Sequence, residues 1–229
     1  MNEQVPQPTP LDLEPEPSSF KLIFTLGLVG LLSGLILAGA YLYTLPIIEA
    51  NKAAALQRAV YEVLPGCAEF QTLELRDGRL LPPPETEGSG EQSDPAPRVF
   101  AGFTADGQLI GFAIQAQQAG FQDQIVGIFG YRPEQQLIVG FEVLESKETP
   151  GLGDKIMKDP GFQANFTSLA VEPPVTVVKK GEKQKDNEIE AITGATISSK
   201  AVGRLLDKSL AEWLPLIGAY WKEDKKGEQ

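Results

Sequence analysis

The segment Ile189-Glu190-Ala191-Ile192-Thr193-Gly194-Ala195-Thr196, followed by Ile197-Ser198-Ser199-Lys200, carries an apolar strand-like run into a turn and then into a helix. Beyond it Val202, Leu205, Leu206, Leu210, Trp213, Leu214 and Ile217 recur at three- and four-residue spacing, one face of an amphipathic helix. The spacing predicts a helix from about Ser198 to Leu214, with Pro215 as its limit. Gly194 permits a tight turn before the helix, and Thr196, Ser198 and Ser199 are hydroxyl residues of the kind that cap helix N-termini. The first N–H groups of a helix lack intrahelical partners and sit at its positive dipole end, so such a start also suits a phosphate. From these residues alone, a structural cap and an anion site both stay open.

Working outward, the pattern is that of an α+β domain. Val99–Thr104, the Asp106-Gly107 turn and Leu109–Gln115 read as a hairpin. Gln124–Tyr131 and Leu137–Leu144 read as a second pair. Val175–Val178 and Ile189–Ile192 read as a third, flanking a solvated loop with Lys179, Lys180, Lys183 and Lys185. A short helix is expected around Phe162–Leu169, after the Asp159-Pro160-Gly161 break. Glu148-Thr149-Pro150-Gly151-Leu152-Gly153 follows the apolar run Leu137–Leu144 as a rigid, glycine-bearing loop.

At the other end, Leu22 through Leu45 holds no charge and no proline. At about 1.5 Å per residue it spans about 36 Å as a helix, enough for a hydrocarbon core of about 30 Å. A cleaved signal peptide competes, given Ala38-Gly39-Ala40, but the preceding segment is acidic and the apolar run is long for an h-region. Lys21 on one side against Lys52 and Arg58 on the other leaves the positive-inside rule nearly silent. Ile47 to Leu64 reads as a helix continuing outward and stopped by Pro65-Gly66. The expected organisation is a Pro-rich acidic tail at 1–20, a transmembrane helix at 21–46 and a membrane-proximal helical segment at 47–81. A Pro/Gly-rich linker at 82–98, the α+β domain at 99–218 and a charged tail at 219–229 complete it.

Composition excludes several chemistries. The net charge is −11, with −8 remaining beyond Lys21, and no basic cluster suits nucleic acid. Cys67 is the sole cysteine, so an intrachain disulfide and a cysteine-ligated iron–sulfur cluster within the chain are ruled out. It reads as a small buried residue beside the Pro65-Gly66 turn. The absence of histidine removes histidine-activated nucleophiles and histidine-ligated zinc or haem. No acid/base dyad and no metal site is evident; redox chemistry would need an organic cofactor.

Taken in order, Glu148–Gly153 and Thr193–Thr196 resemble the motifs of the FMN-binding domain found in the G subunit of the Rnf electron-transport complex. The C subunit of the sodium-pumping NADH:quinone oxidoreductase is its close relative. The apolar span, Asn51 and Leu64-Pro65-Gly66 extend the resemblance over most of the chain after residue 20. It implies FMN joined through its phosphate to Thr196, the last residue of the Thr193-Gly194-Ala195-Thr196 motif. Beside such a phosphate Gly194 lets the backbone come close and Thr193 offers a hydroxyl donor, while Lys200, one helical turn on, reads either as a second contact to the anion or as a plain surface lysine. Glu148, Thr149, Pro150, Gly151, Leu152 and Gly153 would then lie beside the isoalloxazine. Glu190 stands where the family usually has the aspartate that the attaching flavin transferase reads, and Ser146 where a histidine often sits. The implied protein is a single-pass electron-transfer subunit in a bacterial inner membrane, its large domain on the periplasmic side. Implied partners are a second flavin-bearing membrane subunit, iron–sulfur subunits linking ferredoxin and NAD, and the transferase transiently. The alternatives are the related C subunit of the quinone-reducing enzyme, a lone anchored flavoprotein, or an assembly subunit without cofactor.

Overall fold

The structure, a computed structural model, describes residues 18–83 and 97–227, so most of the 1–20 tail and most of the 82–98 linker lie outside the described residues. The chain divides into two units, with the boundary between Lys52 and Ala53. Helix α1 runs from Ser19 to Val63 with Pro46 inside it. Among the described residues it is the helix long and apolar enough to cross a membrane, and the apolar side chains of its first half are exposed.

In the second unit an antiparallel sheet has the order β2-β1-β3-β4-β5-β6-β7. Its strands are β1 (Glu69–Arg76), β2 (Arg79–Leu81), β3 (Arg98–Phe103), β4 (Leu109–Ala119), β5 (Gln124–Arg132), β6 (Leu137–Glu145) and β7 (Leu169–Ala170). The period-2 alternation of strands sorts their side chains to two faces. Val99, Phe112, Ile114 and Phe129 join one core cluster; Phe100, Ala113 and Ile128 join another. Helix α4 (Thr196–Gly227) covers the first face with Val202, Leu205, Leu206, Leu210, Trp213 and Ile217. Ala59, Val60, Val63 and Leu64 cover the second. A Cβ on Gly130 would collide with the Val63 carbonyl, so only glycine lets the end of α1 lie directly on β5. Cys67 is half-buried beside this cluster; burial raises its pKa, and its Sγ–H donates to the Glu69 carbonyl.

The two central hairpins stand where the sequence predicts them: β3 with β4, and β5 with β6. Four expectations are corrected. Residues 69–81 form the β1–β2 hairpin rather than helix, turning at Asp77 and Gly78, both at positive φ. In place of a single helix at 162–169 stand α2 (Lys155–Lys158), α3 (Pro160–Gln163), a 3-10 turn (Ala164–Phe166) and strand β7. The 175–192 pair is parallel: β8 (Thr176–Val178) runs beside β9 (Glu188–Glu190), and the lysine-bearing loop carries the chain back. Finally, α4 passes through Pro215 to Gly227 instead of ending near Leu214. An internal proline costs about 3 kcal/mol, but Ile217 beyond it is fully buried and Tyr220 packs edge-on against Phe112 at 5.9 Å. Burial of that order for each large apolar side chain offsets the proline.

Candidate functional site

Strand β9 delivers the chain to the Ile192–Ala195 turn. Ala195 N–H donates to Ile192 O (2.9 Å), and Gly194 holds φ +85°, a left-handed conformation that a side chain rarely adopts. Helix α4 then starts at Thr196, so the N-cap position falls to Ala195 and none of the three hydroxyls caps the helix as expected from sequence. Instead, Ser199 Oγ donates to Ala195 O (2.9 Å) and accepts from Ile192 N–H (3.1 Å), stapling the turn to the helix. Ser199 is fully buried, whereas Thr193, Thr196 and Lys200 are exposed. The Thr196 hydroxyl thus stands in solvent beside the first N–H groups of a 32-residue helix. A phosphate fits there, and the helix end contributes about 0.3–2 kcal/mol to holding its charge.

The loop after β6 is organised around Glu148. This carboxylate is buried, and its two oxygens face different segments. Oε2 accepts from Ser198 Oγ at 2.5 Å; Oε1 accepts from Phe121 N–H (2.8 Å) and Gln122 N–H (3.0 Å) in the β4–β5 turn. Burial alone would raise the Glu148 pKa, but the Ser198 hydroxyl and the backbone N–H groups outweigh it, holding the carboxyl below its usual range. A buried anion therefore ties together three stretches far apart in sequence. Gly153 lies against it: a Cβ there would meet both Glu148 Oε2 and Ser198 Oγ (2.9 Å).

The two sequence motifs adjoin. A Cβ on Gly194 would lie 4.0 Å from Leu152 Cδ2, in van der Waals contact. Leu152 itself is 51% exposed and Ile197, next to Thr196 in the chain, 52%, so each motif carries an uncovered apolar side chain. Pro150 and Gly151 form the exposed tip of the loop. Thr149 Oγ–H donates to Gln122 Oε1 (2.8 Å), so its proton is already committed within the protein.

Glu190 and Lys200 lie outside the Glu148 network. Glu190, at the end of β9, is half-buried and lines a small cleft with Asp159 and Lys180. Its backbone N–H donates to Asn165 Oδ1 (3.1 Å) and its carbonyl accepts from Asn165 Nδ2 (3.5 Å). Lys200 projects from α4 over a shallow cleft with Val177, Gly203 and Arg204. Sequence reasoning missed Ser198 as the partner of Glu148, and the whole Phe121–Gln122 turn. Ser198 reads as one of several capping hydroxyls, and nothing in Gly-Phe-Gln-Asp distinguishes it from an ordinary strand connection.

Residues 120–211, which take in β5, β6 and the start of α4, match the FMN-binding domain family. The chain is 30% identical over 184 residues to the G subunit of the ion-translocating oxidoreductase complex of Methanosarcina acetivorans, spanning 80% of this chain and 87% of that one. It is 29% identical over 188 residues to the G subunit of the Na(+)-translocating ferredoxin:NAD(+) oxidoreductase complex of Acetobacterium woodii, with the same shares covered. The fold is shared with the C subunit of the Na(+)-translocating NADH-quinone reductase of Parabacteroides distasonis, at a TM-score of 0.56 and 22% identity, over 73% of this chain and 94% of that one. The chain belongs to the family of G subunits of Rnf-type ion-translocating oxidoreductase complexes.

Proposed function

We propose that this chain is the anchored flavoprotein subunit of an Rnf-type complex, carrying FMN as a phosphoester on Thr196 and relaying electrons between neighbouring carriers. The observation that carries this reading is the meeting of the two motifs: Leu152 beside Gly194, and Glu148 bonded to Ser198, two residues past the exposed Thr196 hydroxyl. Gly194 and Ala195 shape the turn, Thr193 stands exposed to donate to the phosphate, and Lys200 supplies a charge one helical turn on. Glu148–Gly153 then presents Leu152 and a backbone-rich edge to the ring. FMN supplies the redox chemistry; the protein positions it and sets its potential.

In this reading α1 anchors the chain in the membrane, and the large domain works on the extracytoplasmic side. Its partners are the other subunits of the complex, among them a second flavin-bearing membrane subunit and iron–sulfur subunits serving ferredoxin and NAD. A flavin transferase attaches the FMN, reading Glu190 in place of the usual aspartate. The test is peptide mass spectrometry of the protein made with its transferase. The tryptic peptide ending at Lys200 should carry FMN less water on Thr196, and Thr196→Ala should lack covalent flavin. An adduct on Thr193, Ser198 or Ser199 would refute the assignment.

A further inference from the structure

Between β4 and β5 the chain turns through Gly120-Phe121-Gln122-Asp123, a short irregular segment held at every residue. Phe121 and Gln122 donate their N–H groups to Glu148 Oε1, and Gln122 Oε1 accepts from Thr149. Asp123 Oδ2 pairs with Lys147 Nζ (2.7 Å), and Gly120 N–H closes the turn on Asp123 O (2.9 Å). A Cβ on Gly120 would run into Glu148 Oε1 and Ile125 Cδ1, so the turn backbone lies directly on the buried carboxylate. Three of these bonds go to Glu148 or Thr149, the first two residues of the loop assigned to the flavin ring.

The side chain of Phe121 takes no part in this order. It is 65% exposed and belongs to neither core cluster, forgoing the roughly 1.5–3 kcal/mol that burying a phenylalanine contributes. Among the described residues after Lys52, the large apolar side chains that stand exposed are Tyr61, Leu81, Phe121, Leu152, Met157 and Ile197. Phe121, Leu152 and Ile197 are the most exposed of the six, and the Glu148–Ser198 link draws their segments together. A fixed backbone presenting an uncovered aromatic ring, with uncovered aliphatic groups on the two segments tied to it through Glu148, suits a flat apolar ligand.

We propose that Phe121 contacts the flavin, its ring covering the isoalloxazine hung from Thr196, with the turn Gly120–Asp123 as a third wall of the site. This rests on the proposed attachment at Thr196. Tryptophan in contact with an excited flavin quenches its emission by electron transfer, so Phe121→Trp converts the contact into a signal. The experiment compares flavin emission of the full-length, detergent-solubilised holoprotein in wild type, Phe121→Trp and Leu81→Trp, after mass spectrometry has located the FMN. Emission should fall several-fold in Phe121→Trp and stay at the wild-type level in Leu81→Trp, while Phe121→Ala should quench more readily with iodide than wild type. With FMN found on Thr196, unchanged emission in Phe121→Trp and unchanged iodide access in Phe121→Ala would overturn the role of Phe121 alone. FMN found elsewhere, or absent, would overturn the attachment and this inference with it.

Discussion

Ser198 Oγ, in the first turn of α4, donates to Glu148 Oε2 across fifty residues of sequence, joining the helix that follows Thr196 to the loop that precedes Leu152. The bond is charge-assisted and lies in the interior, and the other carboxylate oxygen is occupied by two backbone N–H groups. One side chain thus ties the two motifs to each other directly.

Removing that side chain should be costly. Glu148→Ala strands the buried Ser198 hydroxyl, at a cost of about 1–3 kcal/mol, and takes the acceptor from the part-buried Phe121 and Gln122 N–H groups as well. A loss of about 3 kcal/mol or more is expected in chemical denaturation. Ser198→Ala removes a single bond and leaves the carboxylate its N–H donors, so it should cost less, about 1.5–3 kcal/mol, the range for a bond to a charged group. Equal stability of Glu148→Ala and wild type would mean that the carboxylate is not the tie described.

The same group makes stability depend on acid. Its folded pKa is lowered, so ionised Glu148 stabilises the native state above the unfolded glutamate value of about 4.3. That contribution disappears as pH falls through the lower folded value. The stability gap between wild type and Glu148→Gln should therefore be constant from pH 7 to about 5 and narrow below about 4.3. Parallel pH profiles through that acid range would exclude Glu148 as the source.

Much of this site was legible in sequence, for identifiable reasons. The apolar stripe from Val202 to Ile217 and the alternation around Asp106-Gly107 are strong periodic signals, and both elements form, although the helix runs past the limit read for it. Glu69–Arg76 was obscured because its strand carries charged residues and follows a long helix, although Asp77-Gly78 was a turn signal in plain view. Periodicity identifies a strand but not its direction, which is why β8 and β9 read as a hairpin. Pro215 reads as a stop since its local cost is visible in sequence, while the burial of Ile217 that offsets it is tertiary. The Glu148–Ser198 bond is likewise a product of topology.

Recognition by the transferase should separate from folding at Glu190. The bonds linking this residue to Asn165 run through its backbone N–H and carbonyl, so Glu190→Ala retains them. The side chain borders an open cleft with Lys180 and Asp159 instead of the buried Glu148 network. Glu190→Ala should fold with a melting temperature close to wild type, yet incorporate little FMN when incubated with the cognate transferase; Glu190→Asp should incorporate it fully. Full incorporation by the alanine variant would remove Glu190 from recognition.

The ring loop should act on potential without acting on attachment. Leu152 is half-exposed beside Gly194 and has no part in the Glu148 network, so Leu152→Ala leaves the scaffold and the Thr196 hydroxyl intact. What it removes is apolar cover, and water admitted to the ring favours the more charged, reduced flavin. The midpoint potential should rise on the order of 30 mV for the two-electron couple, equivalent to about 1.4 kcal/mol. Thr149→Val should have a smaller effect, because the Thr149 proton is committed to Gln122 and its loss loosens the turn indirectly. Spectroelectrochemistry of the two covalently loaded variants gives both potentials and spectra. If Thr149→Val shifts the potential more than Leu152→Ala, the hydroxyl reaches the flavin in the loaded protein and the hydrogen bond to Gln122 yields to it. If neither variant shifts, the isoalloxazine lies away from this loop, and Pro150 with its flanking residues is an ordinary structural turn.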